Sequence, residues 1–528
     1  MKKLNSLTQR FGLIGAIVAF LATSFGITSC RPDFDLDKRM PEWLGTSIYE
    51  TLQEGFKNDS TGEFYTFNTF VRLIDDLGQK DFLAKTGSRT LFVASDKAFE
   101  EFFKNCPFKG VTRYEDMSDA QKKMILNGCM LPNVYQVTML SSSPSGNTQD
   151  PPLVGNSMRR VSASQTLDTI PIVKPADMPD SDFWKYWRDR SEDGIALLQD
   201  GTNRPLVYFV SKFMKQHGFE PYDYDFLFRL GDYSPAGEHR DPHDPDGASV
   251  NGVTIEWPNK KCFNGFLHVM SKVVYLMPNM AEELASNSNT RIYSSIIERF
   301  SIPYYISGEK ANRDQNLRKR LDDPTDDLKN PALDAAMKAS GDSIYVKKYL
   351  SMRSLLPSGN SSSSTGNAAE LRTNIRGIEL LSANNVLQFD PGWNSLIAPS
   401  SNGADIALQE DLAVMFVPYD SILQKWWVDK KEVGNKLRLR YGKLTQGVQD
   451  PGFMDVDEVI EDMKGIPLSV IVELVNNNMQ NSLLGTIPSK FATVLNDAQD
   501  QFFEKMTRQQ AEATIADVAM CCNGAICL

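Results

Sequence analysis

His239 and His243 stand four residues apart, with Asp241, Asp244 and Asp246 between and after them. On a helix that spacing would point two imidazoles at one divalent metal. Pro242 and Pro245 exclude a regular helix there, so the better reading is a solvated loop, and no metal site is expected. No G-x-S-x-G, Walker loop, G-x-G-x-x-G or H-E-x-x-H occurs, and carboxylate pairs such as Asp75-Asp76 are merely adjacent. The expectation is therefore a non-enzyme without a cofactor. Aromatic clusters are the stronger candidates for binding. Phe183-Trp184-Lys185-Tyr186-Trp187 and Tyr222-Asp223-Tyr224-Asp225-Phe226 set rings beside charged groups, a combination that suits sugar rings or a protein interface. The candidate binding residues are Trp184, Tyr186, Trp187, Tyr222 and Tyr224; the alternative is that they pack an insertion onto its own domain. At least one of Trp426 and Trp427 should be core, because exposing two adjacent indoles is costly.

The elements that would position these residues are organised around Thr90–Phe103, TLFVASDKAFEEFF. Leu91 to Ala94 form the short apolar run of a strand covered on both faces. Ser95 can cap the helix that follows, and Asp96 places negative charge at the positive end of its dipole. Ala98, Phe99, Phe102 and Phe103 then recur at helical spacing. The device returns at Asp411–Trp427, where Phe92 to Phe99 align without a gap on Phe416 to Leu423. A second motif also recurs: Asn264-Gly265-Phe266-Leu267-His268-Val269 is echoed by Asn523-Gly524-Ala525-Ile526-Cys527-Leu528. Two motifs repeated in one order argue for two copies of one domain.

This pair of motifs resembles the two signatures of the fasciclin domain, an F-x-P-[ST]-D-x-A-F-like junction and a later N-G-x-x-H strand. The matching positions are Phe92, Ser95, Asp96, Phe99, Asn264, Gly265 and His268, and then Phe416, Asp420, Asn523 and Gly524. Departures are Ala94 in place of Pro, Tyr419 in place of Ser or Thr, and Cys527 in place of His. The resemblance implies an α+β fold: two fasciclin-like domains, each a mixed β wedge or barrel surrounded by helices. It further implies adhesion or surface binding without catalysis. His268 is expected to be a half-buried structural residue.

Lys2, Lys3 and Arg10 precede the apolar segment Phe11–Ile27, the layout of a secretory signal. Ile27-Thr28-Ser29-Cys30 looks like a bacterial lipobox, making Cys30 the lipidated (palmitate-bearing) first residue of the mature chain. The alternative is an uncleaved anchor, since about 17 apolar residues only just span a bilayer. Asp33, Asp35 and Asp37 resemble the signal by which Bacteroidota-type lipoproteins reach the outer face of the outer membrane. The net charge of −11 becomes about −14 without the three signal cations, which does not attract nucleic acid. Of the other six cysteines, Cys106 and Cys129 are a possible pair, and Cys521-Cys522-x4-Cys527 fits no zinc spacing.

The expected organisation is 1–29 signal peptide, 30–42 linker, 43–285 first fasciclin-like domain and 286–528 second. The first copy holds about 65 extra residues between its motifs, placed at about 175–251. The second copy is expected to be incomplete at its C-terminus, because the strand begun at Gly524 reaches Leu528 where the first copy continues to Leu276. Helices are expected over Phe67–Leu77, Ser118–Met130, Ser181–Arg190, Leu206–His217, Val456–Met463, Pro467–Met479 and Ala492–Met506, and a strand over Val134–Leu140. The functional expectation is a lipid-anchored outer-membrane protein facing the exterior and binding a protein or glycan. The alternative is a structural accessory subunit of a nutrient-uptake assembly, holding neighbouring envelope lipoproteins or a transporter.

Overall fold

Leu91, Phe92, Val93 and Ala94 are almost wholly excluded from solvent, as an apolar run inside a sheet demands. The computed structural model describes residues 45–58, 61–85, 88–142, 155–163, 172–198, 204–229, 247–305, 344–351, 387, 388, 391, 393 and 410–528. Ser47–Leu528 forms one compact unit. Helices and sheets mix in it as an α+β arrangement with a nearly closed, barrel-like sheet. Among the described residues no helix is long and apolar enough to cross a membrane.

The two sequence motifs meet as neighbouring parallel strands. Arg89–Ala94 runs beside Gly265–Met270, with His268 opposite Phe92. Ala413–Phe416 runs beside Gly524–Cys527 in the same register, with Cys527 opposite Phe416. The flanking strands repeat too. Met130–Leu131 pairs antiparallel with the first motif strand and Val253–Cys262 with the second. Met479–Gln480 and Val518–Cys521 take those places in the second half. Each of the four residues Gly524–Cys527 has a partner on both sides.

The first sheet extends through Ala248–Val250, Pro205–Val210 and Arg159–Val161 to seven strands. A further sheet joins Ile172–Val173 and Ile195–Leu198 to Ile344–Tyr349 and Ser301–Tyr305, so the insertion is stitched into both halves. The second-half sheet is covered on both faces. Val414, Phe416, Ala525 and Cys527 share the apolar core of the first half, whereas Ala413, Met415 and Ile526 face a separate one.

Most expected helices form, several with the predicted caps; Ser118 makes a full capping box with Gln121. Three segments differ. Leu206–Val210 belongs to a strand, and only Ser211–Gln216 is helical, because five consecutive buried apolar residues lie between two strands. Val134–Leu140 is not a strand but ends in a helical turn, Val137–Leu140. The backbone N–H groups of Tyr135 and Val137 donate to the Thr90 hydroxyl and the Asn259 amide rather than to a strand partner. Ala492–Met506 is not a helix beyond the short 3-10 turn Pro488–Thr493. Asn496 accepts from Asp500 N–H, Gln499 is left-handed, Phe502 stacks on Phe416, and Phe503 meets it edge-on.

Candidate functional site

The motif residues are occupied in holding the two strand pairs. The Asp96 carboxylate accepts from the backbone N–H groups of Asn68 (3.1 Å) and Thr69 (2.8 Å), which open the helix Asn68–Asp76. Asp420 does the same for Arg291 (3.0 Å) and Ile292 (2.8 Å), at the start of Arg291–Glu298. Both carboxylates thus satisfy donors that a helix leaves open at its N-terminus. The Asp96 carboxyl, although burial opposes it, is held below the usual carboxylate range by these N–H groups. Ser95 caps its own helix through Ala98 N–H, whereas Tyr419 at the matching position makes no such bond.

Asn264 accepts from Ile48 N–H (2.9 Å) and donates to the Leu83 carbonyl (2.8 Å). Asn523 accepts from Met280 N–H (2.9 Å) at the start of the helix Met280–Ser286. The glycine that follows is required by space. A Cβ on Gly265 would lie 2.0 Å from the Arg89 carbonyl oxygen, and one on Gly524 would lie 2.6 Å from that of Ala413. Phe92 and Phe99 are core residues, and Phe416 is buried with them.

His268 is completely buried, deeper than the half-burial expected, and stacks on Phe92 at 5.4 Å. Its Nδ1 accepts from Asn259 N–H (3.1 Å), so Nε2 carries the proton and donates to the Tyr135 carbonyl (3.0 Å). Asn259 delivers that N–H from a left-handed conformation at an irregularity in its strand. Burial, against a smaller opposing effect of the Tyr135 carbonyl, lowers the imidazole pKa from 6.5 to about 4. The unfolded chain therefore binds the proton more tightly than the folded one. The resulting stability is complete above pH 6.5 and is lost as pH falls toward 4, about 3 kcal/mol in all. Urea unfolding across that window should show a slope that shrinks in His268→Gln; an unchanged slope would refute this role.

The aromatic candidates are packed. Trp184, Trp187, Tyr222 and Tyr224 are each at most 5 % exposed, so these four form no exposed binding face. Trp184 and Trp187 share a small core with Phe183, Ile195 and Ile302, and Tyr224 donates to Ser249. Arg508 covers the ring of Tyr222 at 3.8 Å. The Tyr186 side chain, Cys30, His239 and His243 lie outside the described residues. Trp427 is the core member of its pair, and Trp426 is half-buried. Cys106 and Cys129 are free thiols rather than a pair, and Cys521, Cys522 and Cys527 are buried. Among the described residues no group of three or more His, Cys, Asp or Glu side chains is placed to hold a metal.

What the fold does create is a groove of about 580 Å³ between the helix Asp96–Lys104 and the strand Val518–Cys521. Phe102 and Tyr275, with ring centres 6.3 Å apart, line it together with Met277 and Met520. Asn105, Asn251, Glu101 and Lys272 add polar groups at its walls. Burial, reinforced by Asp517, raises the Glu283 carboxyl pKa, and burial also raises that of the Tyr275 hydroxyl. Aromatic and methionine surface with a few polar groups can hold a sugar face or a peptide side chain. No sequence motif marks the groove, because its walls come from segments far apart in the chain. No family model matches this chain, and no curated protein matches it significantly.

Proposed function

We propose that this chain is a non-enzymatic surface lipoprotein with two fasciclin-like halves, anchored through Cys30 on the exterior face of an outer membrane, that binds a protein or glycan partner. The observation that carries the proposal is the doubled parallel strand pair, each with an Asp capping one helix, an Asn capping another and a Gly beside a neighbouring carbonyl. In this reading the motif residues are scaffold, and partner binding belongs to surfaces such as the groove lined by Phe102, Tyr275 and Met520. Cys30→Ser should remove metabolic palmitate label and release the protein from the membrane fraction. Normal labelling and fractionation of that variant would refute the anchor. Affinity purification from intact cells tests the binding half. Retention on matrix protein or glycan supports adhesion, and recovery only with other envelope proteins supports the accessory role instead.

A further inference from the structure

The strand Val518–Cys521 is an edge of its four-stranded sheet, paired on one side only, with Gly524–Cys527. Just before it, Asp517 and Leu528 exchange both backbone bonds, Leu528 N–H to the Asp517 carbonyl at 2.9 Å and the return bond at 3.3 Å. In an antiparallel pair such residues alternate with ones whose N–H and C=O turn outward. Ala519 and Cys521 therefore face the partner strand, whereas Val518, Met520 and Cys522 face away from it. Two of the outward donors are taken: Val518 N–H by the Asp517 carboxylate (2.8 Å) and Cys522 N–H by the Pro278 carbonyl (2.9 Å). Met520 N–H and C=O have no hydrogen-bond partner among the described residues. An edge residue left open in this way is a template for another chain. Val518, Ala519 and Met520 all line the groove, although consecutive side chains of a strand point to opposite faces. The groove thus runs along the sheet edge, not over one face.

Glu283, on the helix Met280–Ser286, supplies the second observation. Its side chain lines the same groove half-buried, and its carboxylate has no hydrogen-bond or ion-pair partner among the described residues. The carboxylates around it are occupied: Glu282 pairs with Arg204 (2.8 Å), Asp517 with Arg229 (3.6 Å) and Glu101 with Lys104 (3.0 Å). The charge acting on Glu283 is that of Asp517, a second carboxylate; Lys272, also on the groove, is exposed and does not act on it. A half-buried carboxylate without a counterion, in a groove lined by aromatic rings, favours a cation.

We propose that the groove takes an extended segment of a protein partner, which adds as a strand at Met520 and sets a lysine or arginine side chain against Glu283. Met520 exchanges two backbone bonds with one residue of that segment, and apolar side chains at its alternate positions meet Phe102, Tyr275 and Met277. This rests on the groove being the partner-binding surface, and it narrows the partner from protein or glycan to protein.

The test selects a displayed library of random octapeptides on the immobilised full chain, with a glycan array as a parallel arm. Enrichment of peptides carrying Lys or Arg among alternating apolar residues is expected. Their affinity should fall about tenfold in Glu283→Gln, whose circular dichroism should match the parent. Enriched peptides are then resynthesised with one backbone nitrogen methylated at a time. Methylation should abolish binding at the residue facing Met520 and at alternate positions on that side, and be tolerated at the positions between. Enrichment without basic residues, binding unchanged in Glu283→Gln, or methylation effects without alternation would overturn the proposal. Glycan binding that Phe102→Ala abolishes, with no peptide enriched, would overturn strand addition while keeping the groove as the binding surface. No binding in either arm would overturn both.

Discussion

Trp184→Ala should lower the unfolding free energy by about 3–5 kcal/mol, as truncation of a buried indole generally does. The side chain is wholly buried among Met178, Phe183, Trp187, Ile195, Ile302 and Leu350. Its Nε1–H donates to the Ser301 hydroxyl at 2.9 Å, tying the insertion to the first residue of a second-half strand. The loss combines a cavity that its neighbours only partly fill with the loss of that bond. Ser301 keeps a second partner, the Glu298 carbonyl, so the hydroxyl is not stranded. Urea denaturation followed by circular dichroism measures the effect, and Trp184→Phe should recover most of it. An unchanged midpoint in Trp184→Ala, together with weakened partner binding, would instead make this residue part of a binding face.

Asp462→Ala should be as damaging, again about 3–5 kcal/mol, because it strips a buried network of its only described carboxylate acceptor. Asp462 is fully buried at the end of the helix Val456–Met463. It accepts from Trp427 Nε1–H (2.9 Å), from the backbone N–H groups of Leu444 (2.6 Å) and Thr445 (3.0 Å), and from the Thr445 hydroxyl (2.5 Å). Arg438, equally buried, donates through Nη1 to Thr445 and to the Val448 carbonyl. Burial lowers the guanidinium pKa, and the Asp462 charge acts against that fall. Removing the carboxylate leaves four donors without their acceptor and takes from the buried cation the stronger of the two carboxylate charges acting on it, Asp450 being the other. The double variant Arg438→Met/Asp462→Ala should therefore cost less than the sum of the two single changes. Strict additivity, or a loss below about 1 kcal/mol for Asp462→Ala, would refute the network.

The sequence and the structure agree most closely where the physics is local. An apolar run followed at once by Ser-Asp makes Arg89–Ala94 turn into Asp96–Lys104, because capping and dipole terms act within one helical turn. The repeated order of the two motifs was enough to align Phe92 with Phe416 and His268 with Cys527, and the strand registers follow that alignment residue for residue. Apolar spacing was a weaker guide at Ala492–Met506, where the phenylalanines serve contacts with Phe416 and Phe491 rather than one helical face.

By itself, then, the sequence determined the two strand–helix junctions, their Asn-Gly partners, most helices and the acidic balance. Tertiary structure alone decided what the charged and aromatic side chains do. Whether Trp184 faces solvent or core depends on the strand Ser301–Tyr305 arriving beside it, more than a hundred residues later. Arg299, Lys443 and Lys464 likewise reach Asp180 and Arg188 from segments more than a hundred residues away, each an ordinary surface charge until folding brings them together. Caps and apolar runs are specified by neighbours in the chain; burial, cavities and charge pairing are specified by neighbours in space, and these depend on how the insertion pairs with both halves.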